Sequence, residues 1–330
     1  MDQADKKTSG KIINYISSHG QASGKELADF LNLTTRAVRK QLSKLFAENK
    51  VSKIGKSPKV FYVIKKESKE SKEEKVDNVS AELKKVIDEN YLIITPKGER
   101  KGGFLGFSYW CERHNLPLEK TALEYAETLK KYEPYKKDGL IDGGYKMTHT
   151  FKEVYLDQVF YLDFYSIERF GKTKLGQLLL YAKQSQSLNL IRELVAQIRT
   201  PIEELITKFS IQAVGFIPPT VKREVQLMRE LEGKLNLTLP KLSLVKVKTE
   251  IAVAQKTLTK LEDRIENARG TIVADEKRHY DTVLLIDDAL GAGATLNETA
   301  KKIKERGVAK KAIGLAITGS FSGFEIISEV

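Results

Sequence analysis

Residues 283–295 read Val-Leu-Leu-Ile-Asp287-Asp288-Ala289-Leu290-Gly291-Ala292-Gly293-Ala294-Thr295, and no other stretch constrains the fold as tightly. Four apolar residues in a row, without polar alternation, predict a strand buried on both faces, as in parallel sheets. Two carboxylates stand at its tip. A loop made almost wholly of Gly and Ala then leads into a helical pattern over 296–306. Small residues let backbone N–H groups close around an anion, and a helix N-terminus adds free donors and partial positive charge. Thr295 is placed to cap that helix and to offer a hydroxyl. Asp287 and Asp288 repel bare phosphate but are suited to ribose hydroxyls or a hydrated Mg²⁺.

Around this segment, strands expected at 213–217, 242–247, 282–286 and 311–318 alternate with helices at 223–235 and 296–306. That alternation predicts a doubly wound α/β domain with its ligand beyond the C-terminal strand ends. The 287–295 loop resembles the phosphoribosyl pyrophosphate motif of type I phosphoribosyltransferases, and the resemblance spans roughly 150–330. It is nearest to the competence-associated, ComF-like branch, in which a Gln, a Leu and an Arg-x-x-Asn pair precede the motif. Gln255, Leu258, Arg264 and Asn267 follow that order here, with one residue of drift. Pro218-Pro219-Thr220-Val-Lys222-Arg223 is similar to the family's pyrophosphate loop, which implies leaving-group contacts from Pro219, Thr220, Lys222 and Arg223. Leu178-Leu-Leu-Tyr-Ala-Lys183 resembles the helix that opens that branch's domain.

The resemblance implies phosphoribosyl pyrophosphate or a nucleotide as ligand and Mg²⁺ as cofactor. It implies residues 287–295 as the phosphoribose site, with Asp287 and Asp288 as the catalytic and metal-binding pair. Two departures count against turnover. Gly291-Ala292 stands where the family often has Thr-Thr or Asp-Thr, so the acid that serves some members as a base is absent. The cysteine zinc module of many ComF-like proteins is also missing. The chain has one cysteine, Cys111, which excludes an internal disulfide and a cysteine zinc site, so no zinc is expected.

The N-terminal fifth has a different character. Residues 1–65 carry thirteen Lys and Arg against five acids, a field that calls for a polyanionic partner. Ile12, Ile13, Tyr15 and Ile16 give a first helix an apolar face. Ser23-Gly-Lys-Glu26 is a capping box for a second helix with Leu27, Phe30 and Leu31 inside. A third helix, capped by Thr34 or Thr35 and running to about 48, faces the core with Val38, Leu42, Leu45 and Phe46. Its opposite face carries Arg36, Arg39, Lys40, Ser43 and Lys44. Two strand-like runs, 51–54 and 60–64, flank a turn holding Lys56 and Lys59. This order resembles winged helix-turn-helix domains. The resemblance implies double-stranded DNA as partner, read by Thr35, Arg36, Arg39, Lys40 and Lys44, with Lys56 and Lys59 on phosphates.

Residues 66–75, Lys-Glu-Ser-Lys-Glu-Ser-Lys-Glu-Glu-Lys, hold nothing apolar and predict a charged linker over 66–79. A helical connector is expected over 80–149, with helices at 81–89, 104–114 and 116–132, and the phosphoribosyltransferase-like domain over 150–330. Gly171-Lys172-Thr173 mimics the end of a P-loop, but Ser166 stands where that motif needs Gly, so a turn is expected. No run reaches the ~18 apolar residues of a membrane span, and the expected setting is cytoplasmic.

Two functions fit. One is a DNA-binding regulator whose phosphoribosyltransferase domain senses its ligand, as in purine-operon repressors that join a winged helix to such a domain. The other is a Mg²⁺-dependent transferase tethered to DNA, moving phosphoribose to a base or other acceptor. The regulator is preferred because the basic head is otherwise unexplained. A homodimer is the expected assembly.

Overall fold

The computed structural model describes residues 3–56, 59–65, 79–219, 223–247, 253 and 257–321. These divide into two units, Met1–Asp77 and Asn78–Val330.

The first unit runs α1 (Gln3–His19), β1 (Ala22–Ser23), α2 (Gly24–Leu31), α3 (Thr35–Ala47), β2 (Val51–Lys56) and β3 (Lys59–Ile64). The strands form one antiparallel sheet in the order β1-β3-β2. The capping box forms: Ser23 Oγ accepts from Glu26 N at 3.2 Å, and Ser23 N donates to Glu26 Oε2 at 2.6 Å. Thr34 caps α3, accepting from Ala37 N at 3.3 Å. Ile12, Ile16, Leu27, Val38, Leu42, Leu45 and Val51 make a closed core. Phe30 and Phe46, expected inside, are 53% and 49% exposed. Both lie in the last turn of their helices, at the rim, where Phe30 leans on Tyr15 and Phe46 lies beneath the Lys53 ammonium.

The second unit opens with α4 (Ala81–Asn90), the hairpin β4 (Leu92–Ile94) and β5 (Arg100–Gly102), α5 (Gly103–Arg113) and α6 (Leu118–Tyr132). Next come β6 (Lys136–Lys137), β7 (Leu140–Asp142), α7 (Gly144–Thr150) and β8 (Gln158–Phe164). The small ribbon β9 (Ser166–Ile167) and β10 (Gly171–Lys172) precedes α8 (Lys174–Ser185) and α9 (Leu188–Lys208). The rest is β11 (Ala213–Phe216), α10 (Leu227–Leu235), β12 (Leu244–Lys246), α11 (Leu261–Thr271), β13 (Ile272–Ala274), β14 (Tyr280–Leu290), α12 (Ala294–Glu305) and β15 (Ala309–Gly319).

One six-stranded sheet, β11-β14-β15-β8-β7-β6, organises this unit. Its first four strands are parallel, and β7 and β6 continue it antiparallel. Alternate residues of β14 go to opposite faces. Val283 and Leu285 join a cluster with Leu296, Ala300 and Ile303 of α12, while Leu284 and Ile286 join one with α8, α9 and α10. Helices therefore cover both faces, which is why β14 reads as an unbroken apolar run.

The segment 80–149 is not a helical connector alone. It adds a hairpin, and its β6 and β7 extend the main sheet through Ile141↔Tyr161. These strands are two and three residues long, too short to leave a periodic signature. Phe107 and Tyr91, with Ala122 and Tyr125 of α6, belong to the core, and so does Cys111, whose thiol burial pushes up to about 11. Pro117 precedes α6 as its cap rather than lying in the first turn. Thr173 of the P-loop mimic caps α8, accepting from Gly176 N at 3.1 Å and donating to Phe164 O at 2.6 Å. Among the described residues, no helix is long and apolar enough to cross a membrane.

Candidate functional site

The parallel strands β11, β14, β15 and β8 all end at the same edge, and the sequence-marked loop lies there. Strand β14 runs further than expected, to Leu290, pairing Asp287 with Ala316 and Ala289 with Thr318. The carboxylates thus stand inside the strand, and Ala289 and Leu290 belong to it. The long neighbour β15 supplies the ladder partners that override the weak strand preference of Asp. Only Gly291, Ala292 and Gly293 remain as loop. Gly293 caps α12 with φ +84, a left-handed conformation that favours glycine. A Cβ on it would come within 2.4 Å of Met147 Sδ. Ala294 and Thr295 are already helical, so Thr295 does not cap; it sits in the first turn, with its carbonyl accepting from Thr299 Oγ1 at 2.7 Å.

Asp287 and Asp288 are half-buried and adjacent, with Asp288 N donating to Asp287 Oδ1 at 2.8 Å. Burial and the Asp288 carboxylate raise the pKa of Asp287, against the pull of the Asp288 backbone N–H, Lys183 and Lys246. Asp288 forms an ion pair with Lys183 at the C-terminal end of α8. Burial disfavours the charged Lys183, but the two carboxylates hold its pKa above the ordinary value. Lys183 also receives, at its carbonyl oxygen, a 2.8 Å hydrogen bond from Arg223 NH1. Lys246 of β12 faces Asp287 too, its pKa lowered by burial.

The segment expected to be the pyrophosphate loop follows β11 in the chain. Ile217 N still bonds Ile286 O at 2.9 Å, and Pro218 and Pro219 then end the ladder. Pro219 is exposed and Arg223 half-buried, whereas Thr220 and Lys222, like Gln255, lie outside the described residues. Behind the glycine loop, the buried Lys146 donates to Ser320 O at 3.0 Å, Ser320 Oγ at 3.2 Å and Leu290 O at 3.4 Å. Asn297 of α12 accepts from Tyr155 N at 2.8 Å and donates to Glu153 O at 3.0 Å, tying the helix to the approach to β8.

Lys183, Lys246 and Lys146 were not among the sequence-derived site residues. Lys183 had a signal, a cation that closes the apolar run 178–182 on a buried helix. Lys146 and Lys246 lie far from the motif in sequence and carry none.

Among the described residues no three His, Cys, Asp or Glu gather as a metal-binding group. Two adjacent carboxylates under mutual repulsion are nonetheless what Mg²⁺ uses when waters and phosphate oxygens complete its shell.

In the first unit, Thr35, Arg36, Arg39 and Lys40 are exposed along one side of α3, with Lys44 half-buried at its end. Lys56 and Lys59 are the last backbone register partners of the β2–β3 ladder; their side chains lie outside the described residues.

Comparison with known proteins separates the units. Residues 5–51 match the winged helix-turn-helix DNA-binding family. The N-terminal unit is a winged helix of that kind, joined to an α/β body built on a mainly parallel sheet. No curated protein sequence matches the chain. Among solved structures, adenine phosphoribosyltransferase from Leishmania tarentolae is similar at 14% identity and a TM-score of 0.24. That match covers 45% of this chain and 63% of the other, so the chain spans less than two-thirds of the relative's length.

Proposed function

We propose that the protein is a DNA-binding regulator whose α/β body takes phosphoribosyl pyrophosphate or a nucleotide as effector, with Mg²⁺. The observation that carries this reading is the edge formed by β14 and α12. Asp287 and Asp288 lie near the end of a buried parallel strand that runs on to Leu290, and three small residues with a left-handed Gly293 then open directly onto a helix N-terminus. A sugar hydroxyl pair suits the carboxylates and a phosphate suits the loop, in that order along the chain. Arg223 and Lys183 supply the positive charge a diphosphate needs at the neighbouring strand end. Mg²⁺, held by Asp287 and Asp288, would supply charge neutralisation between carboxylates and phosphates.

The body belongs, in this reading, to the type I phosphoribosyltransferase fold, and Pro219, Thr220, Lys222 and Arg223 form its diphosphate loop. Sensing is preferred to turnover because Gly291 and Ala292 offer backbone donors but no side-chain acid or hydroxyl for chemistry. The winged helix binds duplex DNA through Arg36, Arg39, Lys40 and Lys44, and ligand acts on it through the geometry of a homodimer.

Fluorescence anisotropy of labelled duplex DNA, titrated with full-length protein, tests the reading. Saturating phosphoribosyl pyrophosphate with Mg²⁺ should change DNA affinity by about 5–150-fold, the usual span of coupling energies. Superimposable curves, with pyrophosphate released in the presence of some base, would replace the regulator by a tethered transferase.

A further inference from the structure

Lys183 is placed to do more than neutralise a buried carboxylate. It is the last basic residue of α8, its side chain is half-buried, and its ammonium meets Asp288, the second of the two adjacent acids of β14. Its backbone carbonyl holds Arg223, the first described residue after the chain that leaves β11. One residue thus touches both halves of the site, the carboxylate pair with its side chain and the basic segment with its main chain. Val225 N is tied to the same turn, donating to Gln186 Oε1 at 2.8 Å.

A divalent cation that takes Asp288 competes with the ammonium already paired to it. Two positive charges would share one carboxylate in a half-buried place, where screening by water is weak. We propose that Lys183 is a resident counter-ion, which stands in for the divalent cation in the unliganded protein and is released from Asp288 when that cation binds. The inference rests on the ligand reading given above. Once released, the ammonium stays on a helix end fastened to Arg223, and a diphosphate bound beside Arg223 is the partner it would meet. Lys183 then changes from a competitor of the cation into a ligand of the diphosphate. The site would favour cation and diphosphate arriving together over either alone.

This role has opposite signs for the two ligands, which a merely structural lysine would not produce. Full-length protein and the variants Lys183→Met and Lys183→Gln are titrated with Mn²⁺ alone, followed by the loss of the free-ion paramagnetic signal. They are titrated separately with inorganic pyrophosphate in saturating Mg²⁺ by calorimetry. Both variants should bind Mn²⁺ about tenfold more tightly and pyrophosphate about tenfold more weakly, each equal to ~1.4 kcal/mol. If both variants fail to fold, the wild type still decides: saturating Mg²⁺ should speed acylation of Lys183, measured by peptide mass spectrometry, as the amine leaves the carboxylate.

Unchanged Mn²⁺ affinity in the variants, or an acylation rate that Mg²⁺ leaves alone, overturns the counter-ion role. The double variant Asp287→Asn, Asp288→Asn separates that failure from failure of the site itself. If wild type and double variant bind phosphoribosyl pyrophosphate equally, the ligand reading is wrong. If only the double variant loses it while Lys183→Met behaves as wild type toward Mn²⁺, the site stands and the counter-ion does not.

Discussion

Lys146 Nζ lies 3.0 Å from the carbonyl oxygen of Ser320 and 3.4 Å from that of Leu290, so one ammonium bridges the ends of the two longest parallel strands. Burial lowers its pKa to about 8. A neutral amine has only two N–H groups for the three oxygens the ammonium serves, counting Ser320 Oγ. The folded pKa lies below the ordinary lysine value, so the charge is present below pH 8 and is lost as pH rises through it. Phosphoribosyl pyrophosphate affinity should therefore fall severalfold between pH 7 and 9, and Lys146→Met should abolish that pH dependence. Calorimetry at both pH values checks it; a wild-type profile that the substitution leaves unaltered would remove Lys146 from the loop's support.

Gly293 faces two separate obstacles to any side chain, its φ of +84 and the Met147 sulfur. Gly293→Ala should cost about 1–2 kcal/mol from the left-handed backbone alone. Relieving the contact with Met147→Ala should not restore stability, since the backbone strain remains and a buried side chain is lost. Thermal unfolding of the single and double variants distinguishes strain from crowding: full rescue would make the contact the cause.

On α3, Arg39→Ala with Lys40→Ala should weaken duplex binding and reduce the salt slope by about one per lost phosphate contact. Both side chains are exposed, so the unfolding midpoint should stay put. A salt slope equal to wild type would place the DNA elsewhere on the unit.

Glu276 accepts from Lys277 N and Arg278 N at 3.0 Å each and pairs with the Arg278 guanidinium. The Arg278 side chain first, then these backbone donors, hold it down to about 2 against burial. A carboxylate with a depressed folded pKa contributes stability above its unfolded value and loses it as pH falls. That contribution should disappear between about pH 5 and 2. Glu276→Gln should cost about 1–2 kcal/mol at pH 7, discounted for the exposed Arg278, and clearly less at pH 2, where the carboxylate is about half protonated. Equal destabilisation at both pH values would contradict the assignment.

How far the sequence spoke for itself depends on the range over which each residue's neighbours lie. The capping box at Ser23 and Glu26, the apolar stripe of α3 and the buried core of β14 are set by residues within a few positions, and all are visible in the chain. The loop residues 291–293 were legible because glycine has few other reasons to follow a buried strand. The extension of β14 through Asp287 to Leu290 was not legible, since it depends on β15 pairing along its whole length. Nor could β6 and β7 be foreseen as sheet members, because their partner β8 alone makes them strands. Lys183 joins Asp288 across 105 positions and Lys146 joins Ser320 across 174, distances at which no local pattern survives.

The strand order has a consequence for the newborn chain. Strand β15, which finishes at Gly319, is inserted between β14 and β8, although β8 was made some 150 residues earlier. Until β15 leaves the ribosome, the β6–β8 meander and the β11–β14 pair each keep an open edge, with N–H and C=O groups awaiting a partner. The sheet's central ladder is therefore completed only after β15 has been made. A message cut short a few codons before Ala309 would yield two unjoined half-sheets rather than a smaller domain, exposing sticky borders to chaperones and proteases.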